Sequence, residues 1–152
     1  MRVIIDGDSF PWKDEIIDFL KNYNIKVIVV LSVAHYSDYL NPYAEILYVD
    51  NRPQETDIKI MNLAKDYDIV LTADVGLSCF LISRNVYVIN PRGKIINAKS
   101  ADAKLKIIHI KKKLRRSKSK LRMKGQKKYS KTDLLNLKNS LKRLILQKGV
   151  VI

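Results

Sequence analysis

Five short runs rich in Val and Ile, separated by stretches of helical spacing, limit most what this chain can become. They are Arg2–Ile5, Lys26–Leu31, Glu45–Val49, Ile69–Thr72 and Val86–Ile89. Successive rather than alternate residues are apolar, so each run needs cover on both faces, as strands of a parallel sheet do. Helical spacing fills the gaps near Trp12–Asn22, Gln54–Lys65 and Val75–Arg84. In the first, Ile16, Phe19, Leu20 and Tyr23 share a face; in the second, Ile58, Met61, Asn62 and Ala64 do so less cleanly. Strands alternating with helices of about ten residues predict βαβ units and an α/β fold with a mostly parallel central sheet.

The length, 152 residues, suits one compact domain with an appendage. An apolar fraction of 47% argues against wholesale disorder. One cysteine, Cys79, excludes a disulfide framework and a zinc site built on cysteines. The first apolar run stops at Asp6, so neither a signal peptide nor a membrane span is expected, and the expected location is cytoplasmic.

Charge is divided unevenly. Residues 1–100 hold 11 Lys+Arg against 13 Asp+Glu, a balance of −2, whereas residues 101–152 hold 18 against 2, a balance of +16. That asymmetry describes a near-neutral body carrying a basic appendage, and hence a polyanionic partner. After a turn at Asn90-Pro91-Arg92-Gly93, helical spacing returns around Ala101–Leu114 and runs into a segment, 111–128, in which 11 of 18 residues are Lys or Arg. Ser130 can cap a final helix, with Asp133 favourable in its first turn. Leu134, Leu137, Leu141, Leu144 and Ile145 give that helix one apolar stripe, ending near Gly149. The expected organisation is a body over 1–110, a basic arm over 111–129 and a helix over 130–149 that docks on the body. Lys111, Lys112, Lys113, Arg115 and Arg116 would track a nucleic-acid backbone, RNA above all, without reading its sequence. The run lacks a sustained apolar face, which disfavours a membrane surface.

The chemistry is concentrated in acids at strand exits. Val3-Ile4-Ile5 leads straight into Asp6-Gly7-Asp8, and Leu71-Thr72-Ala73 into Asp74. In open α/β folds, ligands bind at that carboxyl edge, where the strand order reverses. Asp57, near the start of the second helix, is a fourth candidate. Two carboxylates about 4 Å apart repel by roughly 4 kcal/mol at an effective dielectric of 20, so such a cluster takes up a proton or a cation. With 2 His and 1 Cys in the chain, the donors are hard oxygens, which select Mg²⁺ or Mn²⁺ over zinc. A metal held by Asp6, Asp8 and Asp74, with Asp57 ligating or orienting water, suits phosphodiester hydrolysis. Each acid also has an ordinary role open to it. Asp and Gly end strands as turn residues, and Asp57 suits a helix N-terminus by charge alone.

Thr72 would orient a ligand or a metal-bound water. Asn90 and Arg92, at the next strand exit, would face the same cleft, Arg92 with a fork suited to phosphate. Ser9 is expected to cap the helix after Pro11, and Cys79 to be a small buried hydrophobe. His35 and His109 share no ligand-like spacing. Tyr36, Tyr39 and Tyr43 are expected to pack a loop under the sheet rather than stack on bases.

Asp6-Gly7-Asp8-Ser9-Phe10-Pro11, Thr72-Ala73-Asp74-Val75-Gly76-Leu77 and Asn90-Pro91-Arg92-Gly93 resemble successive motifs of the bacterial YaiI/YqxD family, an uncharacterised group placed with PIN-like domains. The resemblance covers nearly the whole chain, to Tyr129 and Asp133. The family's first motif reads Asp-Ala-Asp-Ala-Cys-Pro; here Gly7, Ser9 and Phe10 stand in place of the alanines and the cysteine. Its Gly-Gly-Pro segment before the last helix is replaced by Lys124-Gly125-Gln126-Lys127-Lys128. The resemblance implies a PIN-like three-layer fold with a basic C-terminal helical appendage, and an acidic pocket matched by Asp6, Asp8, Asp57 and Asp74. It also implies a metal-dependent ribonuclease, an activity inferred for this branch from fold alone. Two other readings stay open. Val3–Asp8 is similar to the first motif of haloacid-dehalogenase-type phosphatases, with Asp6 as nucleophile, and a non-catalytic nucleic-acid-binding module would need none of the acids.

Overall fold

The five apolar runs become five parallel strands, β1 (Arg2–Asp6), β2 (Lys26–Ser32), β3 (Glu45–Val49), β4 (Ile69–Leu71) and β5 (Tyr87–Ile89). A two-residue strand, β6 (Ile95–Ile96), pairs antiparallel with β5 and completes the order β3-β2-β1-β4-β5-β6. The computed structural model describes residues 1–33, 39–100, 102, 105, 108, 109, 112 and 128–147. Four of its helices are α1 (Lys13–Lys21), α2 (Glu55–Leu63), α3 (Val75–Ile82) and α4 (Lys131–Gln147). Residues 98–100, Asp102, Leu105, Ile108, His109 and Lys112 are helical too. Most of the basic segment, 111–128, lies outside the described residues. No described helix is long and apolar enough to cross a membrane.

Alternation along β1 sets the layers. Val3 and Ile5 point to one face and join Ile16, Ile17 and Leu20 of α1 with Leu137, Leu141, Leu144 and Ile145 of α4. Ile4 points the other way, into a second cluster with Ile60 of α2 and Leu77 and Leu81 of α3. Both faces are thus covered, which is why the strands are apolar throughout. Cys79 is half-buried at the margin of the second cluster.

Several local expectations need correcting. In α2 the buried positions are Thr56 and Ile60, while Ile58 is 48% exposed. Spacing of four, from Thr56 to Ile60, places the inward stripe one turn-face away from Ile58. Ser9 does not cap α1: its hydroxyl is engaged elsewhere, and the N-cap is Trp12, at φ 65°, with no side-chain cap bond. Thr72 lies just past β4, its N–H donating to the Ile89 carbonyl at 3.3 Å. Ser130 and Asp133 cap α4 reciprocally, Ser130 N–H donating to Asp133 Oδ2 at 2.9 Å and Asp133 N–H to Ser130 Oγ at 3.4 Å.

The edge opposite the acids is pinned by charge. Asp68, 3% exposed, accepts from Arg2 Nη2 at 2.7 Å and from the backbone N–H groups of Arg2 and Lys65, both at 3.0 Å. Tyr43 also serves packing, donating its hydroxyl to the Ile25 carbonyl at 2.6 Å, while Tyr39 donates to Asp14 at 2.7 Å. Tyr36 and His35 lie outside the described residues.

Candidate active site

The chain runs from β1 outward through β2 to β3, then returns to the far side of β1 for β4 and β5. The strand order therefore reverses between β1 and β4, and the crevice at their carboxyl ends is where a ligand is expected. Asp6 ends β1 and Asp74 follows β4, so topology brings both acids to that point.

Between Asp6 and Asp8 the backbone passes close to β2, with Gly7 N–H donating to the Val30 carbonyl at 2.8 Å. A Cβ on Gly7 would stand 2.5 Å from Leu31 Cδ2 and 2.9 Å from Val30 O, so glycine lets the two acids sit against the sheet. Asp6, 3% exposed, accepts at Oδ2 from Ser9 Oγ and from Thr72 Oγ1, each at 2.7 Å. Ser9 Oγ also accepts from the Ala73 N–H at 3.2 Å, tying the β1 exit to the β4 exit. Asp8 accepts from the Ser32 N–H at 3.0 Å and from Thr56 Oγ1 at 2.8 Å. Asp74 caps α3, accepting from the Leu77 N–H at 2.7 Å, and its own N–H donates to Thr72 Oγ1 at 3.0 Å.

Thr72 is fully buried and serves both acids at once. Thr72→Val should cost about 1–2 kcal/mol in chemical denaturation, because Asp6 loses a donor and the Asp74 N–H an acceptor. Thr72→Ser should stay near the parent; equal losses in both variants would place the effect in packing instead.

Asp6, Asp8, Asp57 and Asp74 together line a cleft of about 330 Å³. Burial holds the Asp6 carboxyl above the usual carboxylate range, and Asp8 and Asp74 push the same way against the lowering effect of its two hydroxyl donors. Asp57 is pushed up to about 6, by burial first and then by Asp74, Asp6 and Asp8. Asp6 and Asp57 are thus carboxyls buried beside other acids, and the donor set, all oxygen, fits a hard divalent cation. Among the described residues no three His, Cys, Asp or Glu side chains form a ready metal-holding group. The arrangement suits a cation held by one or two carboxylates that keeps much of its water, as Mg²⁺ commonly does.

The other sequence candidates are dispersed. Arg92 does not face the acids. Its Nη1 donates to Asp133 Oδ2 at 2.7 Å and to the Lys128 carbonyl at 3.1 Å, and its guanidinium lies 4.6 Å from the Tyr129 ring centre. An acid and an aromatic at the start of α4 outcompete the cleft for this cation. Asn90 folds over its own turn, Oδ1 accepting from the N–H groups of Arg92 and Lys94 at 3.0 Å each. Lys112 is exposed, while Lys111, Lys113, Arg115 and Arg116 fall outside the described residues. Ser9, expected to cap a helix, lines the cleft instead, and residues not singled out from sequence complete it: Thr56 and the β3 exit through Asn51, Arg52 and Gln54. The rule applied to the exits of β1 and β4 would have found that third exit, Val49-Asp50-Asn51-Arg52, had it been extended to β3.

Fold and site define an α/β domain with an acidic cleft at its switch point. The chain belongs to the uncharacterised YaiI/YqxD family, whose model matches residues 4–147. A UPF0178 protein of Bacillus cytotoxicus is 33% identical over 151 residues, covering 99% of this chain and 97% of the relative. A UPF0178 protein of Staphylococcus aureus is 40% identical over 100 residues, covering 65% of this chain and 66% of its own. Among solved structures, Rae1 (YacP) of Bacillus subtilis, a W164L mutant, aligns with a TM-score of 0.43 at 16% identity, covering 98% of this chain and 99% of its own. At that score and identity, nothing of the neighbour's function transfers.

Proposed function

We propose that this protein is a PIN-like, metal-dependent nuclease that hydrolyses phosphodiester bonds in RNA. The observation that carries the reading is the convergence of Asp6, Asp8, Asp57 and Asp74 on one cleft at the sheet's switch point. Asp6 and Asp8 are the candidate ligands for Mg²⁺ or Mn²⁺, with Asp74 at the cleft wall. When bound, that cation supplies charge neutralisation for the phosphate oxygens and lowers the pKa of water.

The remaining work falls to the chain. Ser9 and Thr72 fix the rotamer of Asp6, and the Ser32 N–H and Thr56 fix that of Asp8. Asp57, which lines the same cleft and is raised by burial and the neighbouring acids, is the candidate base that accepts a proton from attacking water. The water oxygen forms the new bond to phosphorus and gives one proton to Asp57, while the bond to the leaving sugar oxygen breaks and that oxygen takes a proton from bulk water to leave as a hydroxyl. The +16 segment over 101–152 supplies sequence-independent attraction for the polyanion.

The test is cleavage of labelled single-stranded RNA in Mn²⁺. Asp8→Asn, or excess chelator, should bring cleavage to background, and activity surviving either one overturns the mechanism. Calorimetric titration with Mn²⁺ should show binding to the parent. Salt-dependent RNA binding with neither metal uptake nor cleavage would identify a non-catalytic binding module. A trapped phosphoryl group on Asp6 would identify a phosphatase instead.

A further inference from the structure

We propose that Arg52 is the phosphate-binding residue of the acidic cleft, gripping a phosphodiester of the bound strand from the wall formed by the β3 exit. The inference rests on the nuclease reading and adds to it the group that positions substrate.

Acids alone make a poor seat for a polyanion. Each of the four carboxylates repels an incoming phosphate, and a bound cation offsets only part of that charge. A fixed cation on the wall is needed, and Arg52 lines the same cleft as Asp6, Asp8, Asp57 and Asp74. Its backbone is held. The Arg52 carbonyl accepts from the Glu55 N–H at 3.3 Å at the start of α2, Pro53 follows directly, and Gln54 turns the chain at φ 66°. A loop constrained this closely presents its side chain from a defined place.

Arg52 is also uncommitted. Arg2 is paired with Asp68 and Arg92 with Asp133, whereas among the described residues no carboxylate forms an ion pair with Arg52. Arg52 thus lines the cleft beside the acids without being paired to any of them. A planar guanidinium with parallel N–H donors matches two phosphate oxygens at once, which a lysine does not.

The test compares Arg52→Ala and Arg52→Lys with the parent, by anisotropy titration of a labelled single-stranded oligoribonucleotide at several salt concentrations. Losing one phosphate contact lowers the slope of log K against log salt by about 0.7. Arg52→Ala should show that drop together with about tenfold weaker binding. Arg52→Lys should recover the slope while regaining only part of the affinity. Calorimetric Mn²⁺ uptake should be the same in all three. An unchanged slope in Arg52→Ala overturns the proposal, and so does loss of Mn²⁺ uptake, which would mean that the residue supports the acids. A parent that binds no oligonucleotide also overturns it. A parent that binds RNA but never cleaves it overturns the nuclease reading alone, and the slope difference still decides the role of Arg52.

Discussion

Gly93→Ala should lower stability by about 3 kcal/mol, read as a fall in melting temperature of about 10 °C. Two effects add. Gly93 sits at φ +85°, where an L side chain costs about 1–2 kcal/mol. A Cβ there would also stand 2.5 Å from Asn136 C and Leu137 N, backbone atoms of α4 that cannot rotate away. Overpacking of this kind costs roughly 1–3 kcal/mol. The contact lies where α4 crosses the β5–β6 turn, beside the Ser140 hydroxyl that donates to the Gly93 carbonyl and near the Arg92–Asp133 ion pair. Ser140→Ala removes only the hydrogen bond and should cost about 1 kcal/mol. The damage should be local: hydrogen exchange in Gly93→Ala should show α4 amides losing protection before those of β1 and β2. A variant melting within about 2 °C of the parent would mean that α4 does not pack on this turn.

How much of this was legible beforehand depends on the range of the interaction. Strands β1, β2, β4 and β5 were readable because burial on both faces removes alternation, a signal each strand carries alone, as Ile28 to Leu31 do in β2. The stripe Leu137, Leu141, Leu144 and Ile145 was legible for the same reason. The β6 strand was not: at two residues it has no period, and it exists because the turn over Asn90–Lys94 folds it back onto β5. In the site, Asp6, Asp8 and Asp74 could be found from strand exits, since the edge of a sheet is a consequence of chain direction. Ser9, Thr56 and Arg92 were misassigned or passed over because their partners, Asp6, Asp8 and Asp133, depend on which elements meet. Arg92 looked free in sequence, 41 residues from the acid that takes it. Pairings at that separation are decided by packing and leave no local trace.

Asp6→Asn should abolish cleavage while making the protein more stable at pH 8, and Asp57→Asn should do the same with about a 100-fold or greater fall in kcat. Asp6 and Asp57 both hold pKa values above the ordinary carboxylate range, Asp57 at about 6. The folded state therefore binds more protons than the unfolded one, and stability from these groups is present in full below about pH 4 and lost as pH rises through the folded value. For Asp57 that window runs from about pH 4 to its pKa near 6. The full shift is discounted for solvent screening, because the side chain is only half-buried, leaving about 1 kcal/mol. Asparagine keeps an oxygen for the Ser9 and Thr72 hydroxyls at Asp6 while removing the charge. Denaturation of parent and Asp57→Asn from pH 4 to pH 8 should show curves that agree near pH 4, separate as pH rises toward 6 and stay apart to pH 8, with the variant on top. Saturating Mn²⁺ should put the parent above Asp6→Asn, since 100-fold excess over Kd adds about 2.7 kcal/mol to a protein that keeps both ligands and little to one that has lost Asp6. Acids that serve only as turn or cap residues predict the reverse, a loss of about 1 kcal/mol on substitution that does not change with pH. That result would remove the acidic cleft as a site of chemistry.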